Sequence, residues 1–174
     1  MHYLDEISGN DKVAVELGCG AGRDTIYLIK KGYHVIGIDK NDTEELIRNR
    51  LNEKENTQFT FLKSKFGDLE IIEKNDLIVS NYSLSFCLPL SFTKFWRKVS
   101  DSIKVGGYFL GNFFGKNDSW SQEKKNMIFF DIEEVKKLFQ DFTIIEMNEK
   151  EYDKCTAMGK MKHWDVIEVY AKHK

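Results

Sequence analysis

Val13-Ala14-Val15-Glu16-Leu17-Gly18-Cys19-Gly20-Ala21-Gly22-Arg23 decides the fold of this 174-residue chain. A short β-branched apolar run ends at an acidic residue, crosses three glycines at alternate positions and opens into the helix-compatible stretch Asp24-Thr25-Ile26-Tyr27-Leu28-Ile29-Lys30. That is a strand, a tight turn and a helix. Glycines lacking Cβ let the backbone take positive φ and let a ligand lie against the main chain. The unpaired N–H groups of the helix start face the same crevice and favour a carboxylate or phosphate. Glu16 adds the opposite charge at the strand end, so a zwitterion with an ammonium and a carboxylate suits the turn better than a pyrophosphate.

Around this unit the chain alternates strand and helix. Lys12 to Glu16 reads as the first strand and Gly22 to Lys31 as the first helix, with Gly32 placed as its C′ glycine. His34 to Ile38 is a strand ending at Asp39. Thr43 to Asn52, led by Asp42 as N-cap, is a helix with Leu46, Ile47 and Leu51 on one face. Strands follow at Gln58 to Leu62 and Asp76 to Ser80, the latter apolar enough to be buried on both faces. Ser91 to Lys104 is amphipathic, carries Phe92, Phe95, Trp96, Val99 and Ile103, and is closed by Gly106-Gly107 before a strand at Tyr108 to Phe114. Asp131 and Glu134 stand at capping-box spacing for a helix to Gln140, and Thr143 to Asn148 and Asp165 to Ala171 close the chain as strands. Alternating units imply an α/β fold with a mainly parallel sheet and helices on both faces.

Composition bounds the function. The chain is 41% hydrophobic and 31% charged with net charge −2, which suits one globular domain over residues 1–174 and calls for neither nucleic acid nor an anionic membrane as partner. No apolar run reaches the ~20 residues of a membrane span, and Met1 to Lys12 lacks a basic start and a signal-like apolar block, so a cytoplasmic protein, monomer or weak homodimer, is expected. Cys19, Cys87 and Cys155 are widely spaced, forming no disulfide framework and no metal-spaced pair; no metal site is expected.

Ligands of open α/β sheets lie at the carboxyl ends of the strands, where strand order reverses. That points to Glu16 to Gly22, Asp39-Lys40, Ser64 to Asp68, Asn81 to Ser85 and Phe113 to Gly115. The dinucleotide pattern G-x-G-x-x-G fails, because Arg23 stands at its third glycine. Asp39 follows Gly20 by about 20 residues, the spacing of an acid that accepts hydrogen bonds from ribose hydroxyls.

The pattern E-x-G-x-G-x-G resembles the class I S-adenosylmethionine-dependent methyltransferases, and Val35-Ile36-Gly37-Ile38-Asp39 resembles their second motif. Asn81-Tyr82-Ser83-Leu84-Ser85-Phe86-Cys87-Leu88-Pro89, Gly111-Asn112-Phe113-Phe114-Gly115 with Asp118 and Trp120, and Lys162-His163-Trp164 resemble the small tellurite-resistance-type branch. The resemblance implies a Rossmann-like seven-stranded sheet of order 3-2-1-4-5-7-6, last strand antiparallel, with S-adenosylmethionine as cofactor. It places Glu16, Gly18, Cys19, Gly20, Gly22, Arg23, Asp39, Lys40, Ser64, Phe66 and Asn81 around that cofactor. Lys65 or Ser64 stands where the family commonly has an acid beside adenine, leaving Ser64 and the Phe66 backbone for that role. Asp68 serves equally to cap a short following helix.

Asn81 and Tyr82 end the fourth strand, where the transferred methyl would lie, and His163 is the candidate base by its titration range. Tyr82, Phe114, Trp120 and Trp164 are candidates for the pocket mouth, where aromatic faces can hold a sulfonium or an apolar substrate. Ser83 and Leu84 break the Asn/Asp-Pro-Pro-Tyr pattern, so methylation of DNA or protein amines is not supported. A small-molecule methyltransferase acting on a heteroatom nucleophile is the favoured reading. The alternatives are a non-catalytic module that binds S-adenosylmethionine or a nucleoside, and an NAD oxidoreductase.

Overall fold

The computed structural model describes residues 10–69, 74–156 and 158–174. Its strands are β1 Val13–Leu17, β2 His34–Asp39, β3 Phe59–Lys63, β4 Asn75–Ser80, β5 Ile103–Phe114, β6 Phe142–Cys155 and β7 Met161–His173. They form one seven-stranded sheet ordered β3-β2-β1-β4-β5-β7-β6. Pairing is parallel from β3 through β5, while β7 runs antiparallel to both β5 and β6. The strand order reverses between β1 and β4, so the crevice above their carboxyl ends is the natural ligand position.

The helices are α1 Arg23–Lys30, α2 Glu44–Arg48, α3 Glu53–Asn56, α4 Pro89–Ser102, α5 Trp120–Glu123 and α6 Ile132–Leu138. Alternation along β1 sends Ala14 to one face and Val15 to the other, and both are fully buried. On the Ala14 side lie Val35, Leu77 and Val79 under Leu28 and Ile29 of α1 and Ile47 of α2. On the Val15 side Phe92, Phe95, Trp96 and Val99 of α4 meet Phe109 and Phe113 of β5 and Val135 of α6. Trp96 anchors this layer, its ring edge-on to Phe109 and Phe113 and its indole N–H donating to Leu138 O at 3.1 Å.

Two helices depart from the sequence reading. The stretch Thr43 to Asn52 is not one helix: α2 stops at Arg48, and Asn52 starts α3 by accepting from Glu55 N–H while the Glu55 carboxylate accepts from Asn52 N–H. This reciprocal capping box inside the apolar repeat satisfies two helix-start donors and restarts the chain in a new direction. Asp42 is not a cap; its carboxylate faces Lys63 Nζ at 3.5 Å. Pro89 takes the first turn of α4, where its missing N–H costs nothing. That helix ends at Ser102, and Ile103 already pairs with Asn75, so Gly106-Gly107 lie at an irregularity within β5 rather than at a helix end. The Asp131–Glu134 capping box stands as expected, and Gly32 has φ +89° after α1. The short helix expected after Asp68 lies outside the described residues.

The closing hairpin is far longer than the alternating apolar stretches predicted. β6 and β7 pair without interruption from Glu146↔Tyr170 to Cys155↔Met161, well past the end of β5 at Phe114↔Val166. Because β7 is antiparallel, this extension overhangs the carboxyl edge of the sheet, beside the crevice.

Candidate functional site

The glycine turn is held by main-chain bonds. Gly18 and Cys19 N–H both donate to Ile38 O, at 2.8 and 3.0 Å, and Gly22 N–H donates to Cys19 O at 2.8 Å. The three glycines have φ of +77°, +50° and +76°, a region that excludes most side chains. Their surroundings differ. A Cβ on Gly18 would meet Ser83 Cβ at 2.4 Å and one on Gly22 would meet Ile47 Cγ1 at 2.6 Å, whereas one on Gly20 would meet nothing within 4 Å. Gly18 and Gly22 are therefore glycine for packing, and Gly20 borders open space.

Asp39 closes the turn from β2. Its Oδ2 accepts from Gly20 N–H and its Oδ1 from Asn41 N–H, each at 2.9 Å, so the carboxylate is fixed beside that open space. Ser64 N–H donates to Asp39 O at 2.9 Å, and the Phe66 ring lies near Gly18 and stacks on Phe95 with centroids 4.8 Å apart. The ends of β1, β2 and β3 thus converge as the sequence suggested, with exposed Lys40 at the margin.

Glu16 is 5% exposed and accepts a hydrogen bond from Thr25 Oγ1 on α1. Burial pushes its carboxyl up to about 8, against the opposing hydrogen bond from Thr25. Cys19, buried beside Glu16 and Asp39, is pushed up to about 12 chiefly by burial, and Cys87 to about 11 for the same reason. Both thiols are inert small hydrophobes.

Arg23 lays its guanidinium along Asp24, Nε to Oδ1 at 2.9 Å, while remaining 69% exposed. Asp24 does more than offset a helix dipole. Buried at 3%, it also accepts from Asn81 Nδ2 at 2.7 Å and so ties the start of α1 to the end of β4. Tyr82 follows with φ +54°, its N–H donating to Asn112 Oδ1 at 2.8 Å. A tyrosine in the left-handed region carries strain that its surroundings must hold, and such residues cluster at functional sites. Asp24 and Asn112 were not read as site residues. Asn112 lay within a recognised island, and only the fold shows that it faces Tyr82.

The aromatic group is real, but its box is filled from within. Tyr82 packs against Phe114 and Trp164 at centroid distances of 6.2 and 5.6 Å, and its hydroxyl lies 3.1 Å from that of Tyr152 on β6. The Lys162 ammonium stands 3.8, 4.5 and 5.2 Å from the ring centroids of Trp164, Trp120 and Phe114 and is paired with buried Asp118. Burial lowers the Lys162 pKa against the pull of Asp118. The faces expected to receive a sulfonium or a substrate therefore hold the chain's own cation. Phe114 is core at 1% exposed, Trp120 and Trp164 are half-buried, and Tyr82 and Phe86, at 39% and 47%, are the most exposed of these rings.

His163 is corrected as a base. Neighbouring strand residues face opposite ways, so His163 points away from Trp164 and the Tyr82 wall. Its Nδ1 meets Asp153 at 2.8 Å and its Nε2 meets Glu151 at 3.1 Å, and these two carboxylates raise its pKa. Neither ring nitrogen is left for a substrate proton. Among the described residues no cluster of histidine, cysteine and carboxylate could hold a metal ion.

A family model described as tellurite resistance protein TehB matches residues 7–164. A probable S-adenosyl-L-methionine-dependent methyltransferase TehB of Haemophilus influenzae is 28% identical over 135 residues, 78% of this chain and 47% of that protein. A carboxy-S-adenosyl-L-methionine synthase of Nautilia profundicola is 32% identical over 108 residues, 60% of this chain and 44% of that protein. The chain spans about half the length of the curated relatives it matches. Among solved structures, TehB from Haemophilus influenzae superposes with TM-score 0.84 at 24% identity, covering 99% of this chain and 60% of that one. The N-methyltransferase NodS of Bradyrhizobium japonicum, in complex with S-adenosyl-L-homocysteine, gives 0.69 at 14% identity over 95% of this chain and 81% of its own. The fold is that of these methyltransferases, and with nine-tenths of its length under one family model the chain belongs to the TehB tellurite resistance protein family.

Proposed function

We propose that this chain transfers a methyl group from S-adenosylmethionine to a heteroatom nucleophile on a small molecule. One observation carries the reading: Gly20 alone of the turn glycines borders open space, and the Asp39 carboxylate is fixed beside it. The site suits the cofactor, since a glycine turn with open space at Gly20, a ribose-accepting acid and a second buried acid match a zwitterionic nucleoside better than a pyrophosphate. A bound S-adenosylmethionine supplies an already activated sulfonium methyl.

The chain's residues then bind and orient. Asp39 retains lone pairs for ribose hydroxyls beyond its bonds to Gly20 and Asn41. Ser64 and the Phe66 backbone flank the adenine side, and Lys40 borders it. The Arg23 guanidinium serves the carboxylate across the open space at Gly20, and Glu16, on giving up the proton that burial holds on it, serves the ammonium. Asn81, held by Asp24, and Tyr82, held by Asn112, stand at the end of β4 and align the acceptor, which must come to roughly 3–3.5 Å in line for attack. Tyr82 and Phe86 form the acceptor-side wall, with Trp120 and Trp164 behind.

Saturating S-adenosylhomocysteine stabilises a protein that binds it only when folded by about 2.7 kcal/mol at a hundred times its Kd. For a chain of this size the midpoint should rise by roughly 5–10 °C, with little change from NAD. Incubation with methyl-labelled cofactor and a small-molecule extract should then release S-adenosylhomocysteine and label a low-mass product. A shift with NAD alone refutes the cofactor; cofactor binding with no labelled product favours a non-catalytic module.

A further inference from the structure

The outer end of the β6–β7 hairpin carries sulfur that the site above does not use. Cys155 and Met161 are paired across the last rung of the ladder, so their side chains leave the same face with Cβ atoms about 4.5–5.5 Å apart. Met158 stands between them in the turn. Cys155 is a free, exposed thiol, and Met158 and Met161 are 95% and 65% exposed. The contrast with the other described methionines is sharp: Met127 is buried, and Met147 packs against the core. Packing does not account for two exposed thioethers beside a thiol.

The frame beneath them is closed. Thr156 N–H donates to Lys160 O at 2.8 Å and Gly159 N–H to Thr156 O at 2.9 Å, with Gly159 at φ +81°. The next rungs on the same face are Asp153↔His163 and Glu151↔Asp165, while Lys154↔Lys162 point to the other face. Along that face the next groups are carboxylates with the His163 imidazole between them, while Lys160 lies in the turn beside Met161. His163 is held by Asp153 and Glu151 and is not counted as a ligand.

Thiolate and thioether donors select soft cations over hard ones. We propose that this hairpin tip binds one soft monovalent cation of the Cu(I) class through Cys155 Sγ, Met158 Sδ and Met161 Sδ. On binding, the Cys155 S–H bond breaks, its proton passes to solvent, and a metal–thiolate bond forms with the metal unchanged in oxidation state. The site is independent of the methyl-transfer reading.

The test is anaerobic competition between the protein and a chromophoric Cu(I) chelator, bicinchoninate, with Ag(I) as a redox-inert second probe followed through the methionine methyl resonances. The wild-type chain should withdraw one Cu(I), and Ag(I) should shift the Met158 and Met161 methyls and not that of buried Met127. Cys155→Ser should abolish withdrawal. Met158→Leu with Met161→Leu should weaken it at least tenfold while Cys155 still reacts with a thiol reagent. Failure to withdraw copper, withdrawal that survives Cys155→Ser, or affinity unchanged in the double leucine variant each overturns the proposal. Ag(I) shifts in the unsubstituted chain test it without any variant.

Discussion

Lys162→Met keeps the length and bulk of the side chain inside the aromatic box and removes only its charge. Asp118, fully buried, is then left with Trp120 N–H at 2.9 Å and Asp165 N–H at 3.4 Å and no counter-ion. Removing one partner of a buried pair costs about 3–5 kcal/mol. A thioether against three rings returns about 0.3–1.5 kcal/mol of this. The net loss of about 3 kcal/mol should lower the melting temperature by roughly 6–12 °C in a chain of this size. Because taking two charges out of water offsets most of their mutual attraction, the charged pair itself is no large net gain. Adding Asp118→Asn should therefore restore most of the loss, with a coupling energy of about 1.5 kcal/mol or more from a double-mutant cycle in urea. A single variant within about 1 kcal/mol of wild type, or strictly additive losses, would refute the account of Lys162 as a buried, paired cation. The S-adenosylhomocysteine shift should persist in the double variant, because Gly20 and Asp39, which carry that shift, are bonded to each other and to Asn41 rather than to this box.

Gly20→Ala should leave the unliganded melting temperature within about 2–4 °C of wild type yet diminish the S-adenosylhomocysteine shift, whereas Gly18→Ala should lower the unliganded value markedly, through its 2.4 Å clash with Ser83; equal effects at both positions would contradict the different surroundings of these glycines. Asp39→Ala should shrink the ligand-induced shift by removing an acceptor, and an undiminished shift would remove Asp39 from the ribose role. Tyr82→Gly relieves positive φ worth about 1 kcal/mol, which offsets part of the packing lost against Phe114 and Trp164, so labelled product should fall far more than stability by urea unfolding. Glu16, at about 8 when folded and 4.5 unfolded, binds an extra proton in the native state between those values, so its contribution is complete below pH 4.5 and is lost as pH rises through 8. Urea midpoints at pH 5, 6.5 and 8 should fall with pH and flatten in Glu16→Gln.

The strands β1, β2 and β4 were legible because they are short apolar runs that must be covered on both faces, whereas the strand order came from the resemblance and not from periodicity. Where the reading failed, local chemistry overrode periodicity. Asn52 and Glu55 lie inside an apolar repeat that reads as one helix, yet their reciprocal bonds begin another. Glu149 to Lys154 show no alternation because that part of the hairpin stands clear of the core, so no apolar face marks it as strand.

The same division runs through the site. Glu16, the three glycines and Asp39 lie within two short segments whose spacing carries their meaning. Asp24, Asn112 and Lys162 take their part in the site from partners 57, 30 and 44 positions away, Asn81, Tyr82 and Asp118. Lys162 lies before the strand predicted from Asp165, and three aromatic residues spread from 114 to 164 read as an open cage; the structure joins them because antiparallel β7 starts at Met161 and returns Lys162 and Trp164 alongside Phe114 at the end of β5. The cage's occupant was thus in the sequence throughout, but its address depended on the one strand whose direction periodicity does not reveal. What the sequence marks as a binding surface for a cation is, in the folded chain, a fastening between the hairpin and the crevice wall. Beside it, Tyr82 and Phe86 are the rings most open to solvent, which is why they form the proposed acceptor-side wall.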